Sequence, residues 1–93
     1  VGEHPDSPEF ASDLGGILND MAMLDLSERR LDDGRAKLTR AIELQRKALA
    51  TNPANPTYRK FLADHLRNLI TASRGLGDRE GVSKAERELA EVR

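Results

Sequence analysis

Apolar residues recur along this chain at spacings of three and four, the signature of amphipathic helices. Phe10, Leu14, Ile17, Leu18 and Met21 mark a first helix over about Pro8 to Leu26. The polar stretch Ser27 to Arg30 reads as a turn, and Asp32 or Asp33 as the cap of a second helix. That helix places Leu38, Ala41, Ile42, Gln45, Ala48 and Leu49 on one face and stops near Asn52, because Pro53 cannot continue it. Leu44 lies off that face, where a third helix can reach it. The third helix starts at Pro56 and carries Tyr58, Phe61, Leu62, Leu66, Leu69 and Ile70; Gly75-Leu76-Gly77 ends it. Asp78 caps a fourth, with the thinner stripe Val82, Ala85, Leu89 and Val92. Four such helices with short connections predict an all-α fold of two antiparallel helical hairpins.

Two helix starts look alike. His4-Pro5-Asp6-Ser7-Pro8-Glu9-Phe10 and Asn52-Pro53-Ala54-Asn55-Pro56-Thr57-Tyr58 both run Pro, two residues, Pro, one residue, aromatic. Ser7 and Asn55 suit the N-cap, and Pro8 and Pro56 the first helical position. A shift of 48 residues superposes them and brings Leu14 onto Leu62, Leu18 onto Leu66 and Met21 onto Leu69. Only five of the 45 superposed pairs are identical, but the correspondences cluster at caps and apolar positions. The chain therefore reads as one domain over residues 1–93 with two repeated units, about 8–52 and 56–92.

Composition narrows the function classes. Ala, Leu, Arg, Glu and Lys dominate, as helices require. The formal net charge is −1, without the basic excess that phosphate neutralisation demands, so nucleic acid is not an expected partner. No apolar run approaches the roughly 18 residues that span a bilayer, and a membrane is not expected either. Cysteine is absent, which rules out disulfides and thiolate metal sites. The residues from Val1 onward do not read as a leader; the expectation is a cytoplasmic segment of a longer protein, whose own targeting signal can lie outside these residues.

Chemistry finds little footing. His65 sits among Leu62, Leu66 and Leu69 at a core edge or groove face, and His4 beside Asp6 has no His or Cys partner at ligand spacing. Gly75-Leu76-Gly77-Asp78-Arg79-Glu80-Gly81 lacks the strand of a dinucleotide loop and the Gly-Lys of a P-loop, and reads as a helix–helix turn. Asp25, Asp32 and Asp33 lack the alternating ligands of a calcium loop. The expectation is no enzyme, no metal and no cofactor.

With these residues in place, the chain resembles tetratricopeptide repeats. Leu18, Met21 and Ala22 fit that family's first helix, and Gly34, twelve positions after Ala22, falls where its second helix carries a small residue. Leu38 and Ala41 fit later positions, and Pro53 resembles the proline that ends the second helix. In the second unit Leu66, Leu69 and Ile70 match the first helix, while Ile70 and Val82 stand where the family has small residues. The run Leu44-Gln45-Arg46-Lys47-Ala48-Leu49-Ala50-Thr51-Asn52-Pro53-Ala54-Asn55-Pro56-Thr57-Tyr58-Arg59 looks like the extended repeats of large planctomycete proteins, several of which carry a serine/threonine kinase domain.

The resemblance implies a short superhelical array that binds a protein or peptide along a groove lined by the first helix of each unit. The matching positions are Gly16, Asn19, Asp20 and Met23, then Asp64, Arg67, Asn68 and Thr71. Asn19, Met23, Asp64, Arg67, Asn68 and Thr71 are the expected partner-binding residues. A subgroup of the family grips a C-terminal carboxylate with a lysine and two asparagines; Asn68 fits one asparagine, but Asn19 stands at the lysine position and Met23 at the other asparagine. Homodimerisation, a spacer role, or service as a regulatory appendage of a kinase are the alternatives the resemblance leaves open.

Overall fold

The computed structural model describes residues 7–93, so His4, Pro5 and Asp6 of the first helix start lie outside it. The described residues form four helices and no strand: α1 (Pro8–Ser27), α2 (Leu31–Thr51), α3 (Pro56–Gly75) and α4 (Arg79–Val92). Each packs on the next in chain order, and α1 also touches α3. The array measures 43 × 27 × 15 Å. Its thinnest dimension is little more than one helix diameter of about 10–12 Å, so every helix keeps a solvent-facing side.

The starts are fixed as the residue types dictate. Ser7 Oγ accepts from the Phe10 N–H at 3.0 Å, and Asn55 Oδ1 accepts from Thr57 and Tyr58 N–H at 2.9 and 3.1 Å. Asp78 caps α4 through the Gly81 N–H at 2.9 Å. The expected aspartate cap of α2 is not found. Its N-cap is Arg30, with no side-chain bond, and Asp32 and Asp33 lie inside the first turn, where their charge complements the helix dipole.

The 48-residue repetition holds at the level of hydrogen bonds. At the end of α1, Arg30 N–H donates to Asp25 C=O (2.8 Å) and Arg29 N–H to Leu26 C=O (3.0 Å). At the end of α3, Asp78 N–H donates to Ser73 C=O (2.9 Å) and Gly77 N–H to Arg74 C=O (3.1 Å). Each donor and acceptor in the second set is 48 positions beyond its counterpart. Both are left-handed helix stops, with φ of +65° at Arg29 and +73° at Gly77. Only glycine adopts that backbone without a Cβ penalty, so the second unit has the better residue. Arg29→Gly is expected to stabilise the fold by about 0.5–1 kcal/mol, left-handed strain outweighing the freedom glycine adds to the unfolded chain. The urea midpoint reads this directly.

Three apolar clusters fill the interfaces. Ala11, Leu44, Ala48 and Tyr58 join α1, α2 and α3; Leu44 thus reaches the third helix. Ala22, Leu38 and Ala72 join the same three helices farther along. Ile42, Leu62, Ala63, Leu66, Ile70, Ala85 and Leu89 bind α3 to α2 and α4. The Ala22–Gly34 crossing is close: a Cβ on Gly34 would stand 3.3 Å from Ala22 C=O and 2.8 Å from a Leu26 methyl. Arg35–Asp78 at 3.3 Å and the Arg46–Glu88 pair tie α2 across to α4.

Candidate interaction surfaces

Of the six groove residues expected from the sequence, most are engaged within the fold. Asn68 Nδ2 donates to Asn19 Oδ1 at 2.8 Å, stitching α3 to α1. Arg67 Nη1 bonds Asp64 Oδ1 at 2.9 Å on its own helix, and Thr71 Oγ1 donates to Arg67 C=O. Thr71 is exposed, as is Met23, on the α1 side. Asp64 and Arg67 also line a cleft with Arg59, Lys60 and Arg93, toward the end of α4 rather than toward Asn19. The structure therefore brings Asn19 and Asn68 together and leaves Arg67 facing the other way along the array.

Beneath this face lies a buried polar cluster. Gln45 Nε2 donates to Ser12 Oγ at 3.0 Å. Gln45 Oε1 and both His65 nitrogens have no hydrogen-bond partner among the described residues. The His65 ring lies nearly parallel to Phe61, 13° apart with centroids 6.5 Å away. Phe61, expected in the core, is instead a partly exposed lid over the histidine. Burial pushes the imidazole below its ordinary value of 6.5, against a weaker upward pull from Asp64 and Asp20. The unfolded chain thus takes up a proton near 6.5 while the folded chain does not. Stability is expected to fall as pH drops below about 6.5, until the folded imidazole also protonates; denaturant titrations across this range measure it, and His65→Gln should flatten the profile.

A second acid-linked group is Asp25, which is buried and takes Lys37 Nζ at 2.5 Å and Arg30 Nη2 at 3.1 Å. The Lys37 bond first, opposed by desolvation and helped by Arg30, holds its carboxyl below the ordinary 3.8. Its stabilisation is present above that value and is lost as pH falls through the lowered pKa. Asp25 is a clamp on the α1–α2 turn. Among the described residues no cluster of His, Cys, Asp or Glu is placed to hold a metal ion, and no helix is long and apolar enough to cross a membrane.

An exposed apolar stripe includes Phe10, Ile17 and Met21, which the sequence placed on the apolar face of the first helix. On α1, Phe10, Ile17, Met21 and Leu24 are 36, 56, 47 and 59% exposed. The inner face is instead made of Ala11, Ser12, Gly15, Ala22 and Asp25. The physical reason is close approach. A Cβ on Gly15 would sit 3.2 Å from Ala41 C=O and 3.3 Å from Gln45 Oε1, so at this point of the α1–α2 crossing there is little room for a side chain. Phe10, Ile17, Met21 and Leu24 stand outward on a stripe along α1, while Leu14, Leu18 and Leu26 remain partly buried against the core. One signal could have revealed it: the apolar arc of α1, from Phe10 to Leu26, is too broad for a single buried face.

Compared with protein-family models, with curated proteins and with solved structures, the chain matches none.

Proposed function

We propose that this chain is a non-catalytic protein-interaction module, a short array of two tetratricopeptide-like hairpins that docks a partner on the outer face of α1. One observation carries it: of the five large apolar side chains exposed on α1, four (Phe10, Ile17, Met21 and Leu24) share one stripe, while the same molecule buries smaller ones. Stripes of this kind on a soluble fold mark contact surfaces. The close Ala22–Gly34 crossing and the 48-residue repetition support the tetratricopeptide-like description.

The α1–α3 groove is the second reading, favoured by the exposure of Met23 and Thr71 beside the Asn19–Asn68 bridge. Site-specific photo-crosslinking in a native extract separates the two. Probes at positions 17 and 24 are expected to give discrete protein adducts, with position 50 as a surface control. Adducts at position 71 alone would move the contact into the groove. Adducts at none of these positions would contradict an interaction role for this half of the molecule.

A further inference from the structure

We infer that the occupant of the α1 stripe is an amphipathic helix with lysine or arginine along one flank, supplied by a different protein; the inference rests on the docking face proposed above. The molecule contains its own precedent. Shifted by 48 positions, Phe10, Ile17, Met21 and Leu24 become Tyr58, His65, Leu69 and Ala72 on α3. There, the same face is covered. Tyr58, His65 and Ala72 are buried and Leu69 half-buried.

The cover is helical. Leu44 and Ala48 of α2 pack with Tyr58, and Leu38 of α2 packs with Ala72. One segment of α2, residues 38–48 and about 15 Å long at the usual rise, thus packs at both ends of the α3 face. The α1 stripe has the same length and spacing, so a helix is the shape that fits it, and the described residues offer no sheet edge for an extended peptide.

Charge selects among helices. Apolar residues fall at 10, 14, 17, 21 and 24, and acids at 13 and 20 repeat with the same seven-residue period along one flank, with Glu9 at the leading end. The α1 helix carries no lysine or arginine. Glu9, Asp13 and Asp20 form no ion pair among the described residues. A basic flank would meet three unneutralised carboxylates. A second copy is disfavoured by the same residues. In an antiparallel two-fold pairing of α1 with α1 centred on the stripe, like flanks face one another, and Asp13 of each copy would oppose Asp20 of the other.

The test uses the full chain and two synthetic probes. Both are helix-forming peptides with leucines at three- and four-residue spacing; one carries lysines on its flanks, the other glutamates. Fluorescence anisotropy at low ionic strength is expected to show the lysine peptide binding about tenfold tighter, as two or three exposed ion pairs supply. Glu9→Gln with Asp13→Asn and Asp20→Asn should erase the preference while leaving residual binding. Ile17→Gln with Leu24→Gln should abolish binding of both peptides. Equal affinity for the two peptides would overturn the basic-flank assignment alone. Binding that survives Ile17→Gln with Leu24→Gln would overturn the docking face itself. Absence of binding by the lysine peptide would overturn the inference, and a doubled solution mass in that case would make a second copy the occupant.

Discussion

Leu38→Ala is expected to cost about 2–5 kcal/mol, the range for emptying a well-packed leucine site. Leu38 is fully buried and is the only large side chain among the buried residues of its cluster, with Ala22 on one side and Ala72 on the other. Neither alanine can expand to fill the space. The three residues belong to α2, α1 and α3, so the cavity opens where the two hairpins meet. A domain of this size has a total stability of about 5–15 kcal/mol, and the variant should lose a large fraction of it. Urea unfolding with a helical probe measures the loss; a change below about 1 kcal/mol, far under the usual cost of such a cavity, would mean that the hairpins are held together elsewhere.

The second large effect is expected at Gly15, and its neighbour supplies the control. Gly15→Val introduces a Cβ that the backbone carbonyl of Ala41 cannot avoid, and two methyl groups beyond it. Overpacking of this kind costs about 1–3 kcal/mol, against a gain of a few tenths from replacing glycine within a helix. A Cβ on Gly16, by contrast, would meet nothing within 4 Å. Gly16→Ala should therefore stabilise the protein by about 0.8–1 kcal/mol. Opposite signs at adjacent glycines, read from urea midpoints, would locate the α1–α2 contact on one side of the helix. A shared sign would place that contact elsewhere.

Element boundaries were legible in the sequence because they rest on local chemistry. Pro8 and Pro56 start helices, Pro53 follows the end of one, and Ser7, Asn55 and Asp78 cap as their side chains permit. The 48-residue repetition was legible despite few identities, since caps and apolar positions are what a shared geometry constrains. Leu44, off the main α2 face in the sequence, packs with Tyr58 of α3 as expected, but it does so together with Ala48 of that face.

The rotational phase of α1 was not legible. Periodicity finds an apolar face but does not distinguish a face of large residues from a face of small ones, and packing distance decides between them. Gly15 against Ala41 settles that distance in this fold. The Asn19–Asn68 bond was equally hidden, since it joins residues 49 positions apart and depends on the relative phase of two helices. Arg30 becomes the N-cap of α2 as a consequence of the helix stop before it. The Arg30 N–H is already committed to Asp25 C=O, and the next helix begins at once.

The docking reading and the inference built on it require that the α1 stripe be surface, kept apolar for a partner, and not part of the core. Equilibrium unfolding of the Ile17→Gln with Leu24→Gln variant beside the parent chain tests this most directly. Glutamine is a good helix former, so propensity is preserved at both sites. The expected result is a stability within about 0.5 kcal/mol of the parent and an unchanged denaturant slope, as for other exposed positions. A loss of about 2 kcal/mol or more, on the scale of emptying a core site, would mean that these side chains are buried in the folded protein and would contradict it.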